Sequence, residues 1–534
     1  MAKLPAKKSE SEDYSGLSKQ ACERLEACEK QKVEFDLDIR EALFFAAPHL
    51  AREVRSRQAP SETKPTDGST RNTSIASELS RECVTEIINA FMPQAEPWAE
   101  RRPGMFLPPN IQKDAKEIAA KQDPIIFEAI RASNLYEVAP MAFDPYLTIG
   151  TAAMWISDPR PAENIVTQPI PLRELEINIG PFGGIDDRFA VRHTRNRHVE
   201  ALLGAEIFAK VPARIKNLIK DKPTERTVIR WGYWRLWARR DDIWWQHVVM
   251  IDKDVVHSVE IQGEGCCPLL VMRFGASPEW AFGTGVLIES LEDLRLLDTI
   301  EADKIDHIEE QLRPAMGFPD DSFAAVEQGI VTGSAYPIRP GSGKDVVKLN
   351  GEGDIEAALF ETEKIEERLR RRFFLGFPNQ RGKTPPTATQ WIDEMIEGQR
   401  RIGTPGMPFW REGPAEIFLR FKYLLEQRGV LEPVKVNGKS VALVPYNPAQ
   451  RAAEQQEVAM AARFISIVAP SFPEEFRLEV DGAKTMANIQ AKMRATLIAF
   501  RTPDKRAEAI AGIQKLIEGR QQIKPADPAT AGNQ

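Results

Sequence analysis

Pro278-Glu-Trp-Ala-Phe-Gly-Thr-Gly285 opens a stretch that then runs to Arg313 with no further Gly or Pro, until Pro314 ends it. Such a run predicts one long helix. Leu287, Leu291, Leu294, Leu297, Ile300, Ile305, Ile308 and Leu312 recur mostly at three- and four-residue steps, which places them on one stripe. The remaining faces are charged. Glu289, Glu292, Asp293, Asp298, Glu301, Asp303, Asp306, Glu309 and Glu310 stand against Arg295, Lys304 and Arg313, so nine carboxylates and three cations leave a net of minus six. The result is an acidic rod roughly 45 Å long, at about 1.5 Å per residue.

Outward from this rod, the totals set limits. A chain of 534 residues exceeds one compact core and predicts several structural regions. With 42% hydrophobic and 28% charged residues it has the composition of a soluble globular protein, and no window of some eighteen apolar residues predicts a membrane span. No apolar core follows the basic Met1 to Lys8, so no cleaved secretion signal is expected. Cys22, Cys28, Cys83, Cys266 and Cys267 form neither an even framework nor a CxxC pair and read as thiols. A formal charge of -7 argues against wrapping nucleic acid in a basic surface.

Taken in order, residues 1–14 read as a disordered tail. A helix runs from Leu17 through Leu43 to a stop near Pro48, a second from Ser74 to Met92, and a third from Lys113 to Leu135, with a Ser/Thr/Pro/Gly-rich loop from Ala59 to Thr73. Tyr146 to Ile156 predicts a strand through a glycine bend, and Ile170 to Phe189 an extended, turn-rich passage. Arg226 to Phe274 predicts a β-meander, whose Trp231, Trp234 and Trp237 read as sheet-face packing before base-stacking platforms. After the rod, Pro314 to Gly353 is a small turn-rich insertion. A second helix follows over Asp354–Leu375, ending in Arg368, Arg370, Arg371 and Arg372, which suit the negative end of a helix dipole. Gly376 to Pro386 is a loop, with Thr387 and Gln390 offering a capping box to a helix reaching Ile402. A Gly/Pro break then separates it from a helix over Arg411–Gln427. From Ala449 the chain reads as mostly helical to Ile517, then as a disordered tail. The fold class is α+β and predominantly helical.

Motifs that carry chemistry fail on inspection. Gly341-Ser342-Gly343-Lys344-Asp345 resembles a phosphate loop, but Ile338 replaces the first glycine and Asp345 the magnesium-binding hydroxyl. Gly283-Thr284-Gly285 has Ile288 where a dinucleotide fingerprint needs its third glycine. His193 and His198 lack the HExxH pattern, Cys266-Cys267 suits burial in a sheet, and Asp320-Asp321 suits a turn. No catalytic, cofactor or metal constellation emerges, so a metal-dependent nuclease or NTPase stands only as the alternative reading.

Four stretches in fixed order resemble one family. They are Ser74-Ile-Ala-Ser-Glu-Leu79 through Pro97-Trp98; Ile149-Gly-Thr-Ala-Ala-Met154; Phe282-Gly-Thr-Gly285 with Leu291, Asp293 and Leu297; and Thr387-Ala-Thr-Gln390 leading to Arg400-Arg401 and the Ile417 to Leu425 segment. Together they resemble the portal, or head-to-tail connecting, protein of short-tailed bacteriophages. Gln390 stands where that family commonly has Glu, and Gly403 to Pro408 interrupts the helix more heavily than its pattern.

The resemblance implies a ring of twelve subunits around a DNA channel at one capsid vertex of the virion, assembled in the host cytoplasm. It implies a wing over 15–282, stem helices over 283–313 and 354–375, a clip over 314–353, a tunnel loop over 376–387, a kinked helix and wing return over 388–448, a crown over 449–521 and a tail over 522–534. Implied partners are further copies of the chain, double-stranded DNA, the terminase large subunit that drives packaging, a tail adaptor, and the major capsid and scaffolding proteins, with no membrane and no cofactor. On this reading Glu289, Glu292, Asp293, Glu301, Asp303 and Glu310 line the channel and weakly repel phosphate, with mobile cations between. Arg381 and Lys383 on the loop are either a ring of transient backbone contacts or merely solubilising charges; the sequence leaves both open.

Overall fold

The computed structural model describes residues 14–50, 71–103, 108–158, 163–239, 242–319, 333–338, 347–348, 355–375, 406–433, 435–436, 439–440, 443–445, 449–472 and 479–493. It divides into two compact units, Met1–Ala449 and Gln450–Gln534. Outside the described residues lie the tails, the Ala59–Arg71 part of the first loop short of Arg71 itself, most of 314–353, the phosphate-loop look-alike and Asp320-Asp321. The whole of 376–405, with Arg381, Lys383 and the Thr387–Gln390 box, and residues 494–534 lie outside them as well.

The first unit is mixed α+β with helices dominant. Helix α1 (Ser15–Ala46) carries Ala21, Leu25, Cys28, Ile39 and Leu43 inward at helical spacing. Its stripe also includes Lys32, 2% exposed, whose ammonium donates to the carbonyls of Leu172 and Leu175 at 2.7 Å each and pairs with Glu176 at 3.0 Å. Every donor on that buried charge thus finds an acceptor of the sheet side, which is what makes its burial tolerable. Helix α2 (Ile75–Phe91) follows, as the periodicity predicts. Strand β1 (Arg101–Pro103) precedes α3 (Pro109–Ala132), α4 (Leu135–Phe143) and α5 (Tyr146–Ile149). The strand expected over Tyr146–Ile156 is therefore half correct: its first four residues form a helical turn, and Gly150, at φ +121°, turns the chain into β2 (Thr151–Ser157).

Strands β3 (Val166–Ile170), β4 (Leu175–Ile179) and β5 (Ile185–Arg195) occupy the extended passage. Three short helices with no counterpart in the sequence reading follow: α6 (Asn196–Leu203), α7 (Ala205–Lys210) and α8 (Ala213–Asp221). Next come β6 (Arg226–Arg235), β7 (Trp244–Ile251), β8 (Asp254–Gln262) and β9 (Leu269–Arg273). The meander is real but differently bounded. Strands β4 to β8 form one antiparallel sheet in chain order, whereas β9 leaves it and pairs with β2 in a second sheet, order β3-β2-β9.

Both faces of the five-stranded sheet are covered, and strand alternation sorts its residues. Phe189, Val191, Trp234, Val248 and Met250 meet α1 on one face, while Ala190, Ile229, Trp231, Tyr233 and Val249 enter the main core on the other. Trp231 and Trp234 are buried core residues as read; Trp237 lies past the strand end, half-exposed against Phe182 at a ring distance of 4.8 Å. Cys266 and Cys267 are buried, and burial pushes the Cys266 thiol up to about 12.

Beyond β9 come α9 (Val286–Glu289) and α10 (Leu291–Leu312). A small sheet of β10 (Met316–Pro319), β11 (Ala335–Ile338) and β12 (Val347–Lys348) has order β11-β10-β12, and α11 (Ile355–Arg372) returns. Helices α12 (Gly406–Glu412) and α13 (Pro414–Gln427) meet at a kink on Gly413. They close the core: Trp410 and Phe418 stand edge-on to Trp98 at 6.2 and 6.1 Å. Short strands β13 (Lys435–Val436), β14 (Lys439–Ser440) and β15 (Leu443–Pro445) end the unit, with β15 on β1. The second unit holds α14 (Ala449–Ser471, from its second residue on) and α15 (Gly482–Met493).

Candidate functional site

The acidic rod is rooted by main-chain contact. Gly285 N–H donates to the carbonyl of Ile149 at 2.7 Å, Gly283 N–H to Thr151 Oγ1 at 2.9 Å, and Phe274 N–H to the carbonyl of Gly150 at 2.9 Å. A β-carbon on Gly283 would stand 2.3 Å from the Gly150 carbonyl oxygen, and one on Gly285 2.1 Å from that of Thr148. Only glycine permits backbones this close. Thr148 Oγ1 in turn lies 2.6 Å from Ser80 Oγ on α2. Three of the stretches that carry the family resemblance, distant in sequence, therefore converge at the foot of the rod.

The rod itself is not one helix. It starts at Val286 and breaks at Ser290, whose φ of -101° and ψ of 2° separate α9 from α10. Past the break, Leu294 and Leu297 bury against the same core as Ile365 and Leu369 of α11. Asp293, 7% exposed, joins them: Arg368 Nη1 reaches its Oδ1 and Arg372 Nη1 its Oδ2, each at 2.8 Å. The arginine-rich end of α11 thus grips a specific carboxylate as well as facing a helix terminus. The other two arginines pair within their own helix, Arg370 with Glu366 and Arg371 with Glu367.

The carboxylates divide by face. Asp298 Oδ1 accepts the Asn72 and Thr73 amides at 2.6 and 3.2 Å, steadying the approach to α2, and Glu301 pairs with Lys304 at 2.7 Å. Arg295 forks onto Glu41 of α1 with two bonds of 2.5 Å. Glu289, Glu292, Asp303, Asp306 and Glu309 are exposed, and Glu310 is half-buried. At roughly 100° per residue, Glu292, Asp303, Asp306 and Glu310 fall within about 60° of one another, opposite Leu294 and Leu297. Of the six carboxylates singled out in the sequence, Glu292, Asp303 and Glu310 share this stripe, Glu289 lies exposed on α9, Glu301 sits beside the α11 side, and Asp293 is committed to the helix pair. The apolar stripe is covered only near its foot; Ile305, Ile308 and Leu312 remain exposed, the last at 77%.

The sequence reading missed Arg368 and Arg372 as partners of Asp293. Their i, i+4 spacing beside the buried Leu369 was the available signal, since it puts both guanidinium groups on one edge of the packed face. Among the described residues no group of three or more His, Cys, Asp or Glu side chains is arranged to hold a metal ion, and no described helix is long and apolar enough to cross a membrane.

Helices α10 and α11 thus form a paired-helix rod, keyed by glycines into an α+β body, with a small β insertion between them. Residues 18–495 match the family of bacteriophage head to tail connecting proteins, and the chain belongs to that family. It is a structural component of the virion, at the join of head and tail. No curated protein matches it. Among solved structures it is similar to a chain from the neck of an empty GTA particle (TM-score 0.35, 11% identity, 73% of this chain and 86% of that one). It is also similar to a chain from the virion of a native gene transfer agent particle (TM-score 0.31, 9% identity, 71% and 89%).

Proposed function

We propose that this chain is the portal subunit of its virion: a ring of twelve copies whose central channel passes double-stranded DNA during packaging and ejection. The observation that carries the reading is the stripe Glu292, Asp303, Asp306 and Glu310, set opposite the packed face of α10 in a chain of the connector family. Twelve such stripes turned inward make a wall that repels phosphate weakly and holds mobile cations, so DNA slides without being gripped. The exposed Ile305, Ile308 and Leu312 then serve neighbouring subunits, whose helices cover what α11 leaves open. Residues 314–353 form the clip that receives the terminase motor and later the tail adaptor, and 376–387 the loop through which Arg381 and Lys383 touch the DNA backbone. ATP hydrolysis resides in the motor and not in this chain.

Negative-stain images and native mass spectrometry of the purified protein test the ring. Closed rings with a central hole are expected, and a monodisperse monomer across several salt conditions would sink the proposal. Incubation with magnesium and either ATP or duplex DNA tests the enzymatic alternative, which requires turnover that disappears on changing a single carboxylate.

A further inference from the structure

Neither Gly nor Pro lies between Val286 and Arg313 to break the helix at Ser290, and although Ser290 with Asp293 three residues on has the spacing of a helix start, its hydroxyl makes no capping bond to α10. Isolated from its surroundings, this segment has the composition of a continuous helix. Two features describe the break. The Ser290 N–H turns to Leu287 O at 3.2 Å, three residues back, where an unbroken α-helix would use Val286 four back. The carbonyl of Glu289, the last of α9, accepts Arg372 Nη1 at 3.0 Å, and the same nitrogen reaches Asp293 Oδ2. One guanidinium from α11, 83 residues away, therefore occupies both sides of the discontinuity.

A second observation points to another state. Ser290 is fully buried, and its Oγ has no hydrogen-bond partner. An unpaired buried hydroxyl is costly. In a continuous helix it has a ready acceptor, the carbonyl four residues back, which serines inside helices commonly use.

We propose that Ser290 is a two-state joint: Arg372 holds the bent form, and withdrawal of Arg372 lets α9 and α10 fuse into one helix in which the Ser290 hydroxyl is satisfied. The joint couples the last turn of α11, and so the segment that follows it, to the direction of α10. With 22 residues beyond the joint, α10 is a lever. At about 1.5 Å per residue, a reorientation of about 10° moves its far end by about 6 Å.

Hydrogen–deuterium exchange on the full-length protein, read by mass spectrometry over peptides spanning 286–296, tests this. Arg372→Gln is expected to slow exchange at residues 290–293 about tenfold, the scale of one net hydrogen bond gained. Arg368→Gln removes a contact with Asp293 but none with the Glu289 carbonyl, and is expected to leave that exchange unchanged or faster. Arg371→Gln controls for charge alone. Faster or unchanged exchange in Arg372→Gln, or the same response in both arginine variants, would reduce Arg372 to a packing clamp and overturn the proposal.

Discussion

Arg273 and Glu412, 139 residues apart, meet as a forked ion pair: Nε lies 2.9 Å from Oε2 and Nη2 2.5 Å from Oε1. The same arginine donates to the carbonyl of Gly183 at 2.8 Å, so this buried charge ties the second sheet, the β4–β5 turn and α12 together. Removing one partner strands the other in a dry site. Arg273→Met or Glu412→Gln is expected to cost about 3–5 kcal/mol in chemical denaturation. The double replacement Arg273→Met with Glu412→Leu should cost much less than the sum, and additive losses would count against a shared buried pair.

The glycine contact at the foot of the rod predicts a sharp contrast. Gly150→Ala places a side chain at positive φ and 2.4 Å from the Gly283 carbonyl oxygen, and is expected to lose about 3 kcal/mol or more. Gly184→Ala meets no atom within 4 Å and should stay within about 0.5 kcal/mol of the parent in the same thermal scan.

Two carboxylates on α10 should respond oppositely to the same chemistry. Asp293→Asn weakens contacts with two half-exposed arginines, and a loss of about 1–2 kcal/mol is expected after allowing for solvent screening. Asp303→Asn, on the exposed stripe, should change folding stability by less than about 0.5 kcal/mol. Urea unfolding of the two variants side by side checks the division; equal effects would refute it.

His247 stacks on Tyr233 at 4.5 Å, and burial lowers its pKa from 6.5 to about 3, with His257 adding to the effect. The unfolded chain therefore binds this proton first, and stability is lost as pH falls below about 6.5, by up to about 1.4 kcal/mol per unit. Between pH 7 and pH 5 the loss from this group is about 2 kcal/mol. His247→Phe, which keeps the stacking shape, should flatten that part of the pH profile.

For the loop residues read from sequence alone, Arg381→Ala with Lys383→Ala is expected to preserve ring assembly while altering the length of DNA packaged or its retention. Unchanged packaging would leave the two charges with a solubilising role only.

What was legible in the sequence was whatever a period could encode. The α1, α2, α10 and α11 helices announce themselves through Leu, Ile and Phe at three- and four-residue steps, and the meander through runs of Val, Ile and Trp between charged turns. What escaped was set by distant partners. Ser290 with Asp293 three residues on has the spacing of a helix start, but nothing in the sequence pairs the Glu289 carbonyl before it with Arg372. Asp293 looked like its neighbours until Arg368 and Arg372 were placed beside it. Strand β9 has the composition of the meander and yet pairs with β2, a choice made by register across 120 residues of chain. Helices α6 to α8 are only 8, 6 and 9 residues long, too short for their spacing to stand out beside the strands that flank them.

The meeting of Gly150, Gly283 and Gly285 fixes where the rod leaves the body, largely through main-chain atoms. Side chains on the exposed stripe of α10 can therefore change its charge without shifting the root from which it grows. The root is held by three positions where the chain carries no side chain at all.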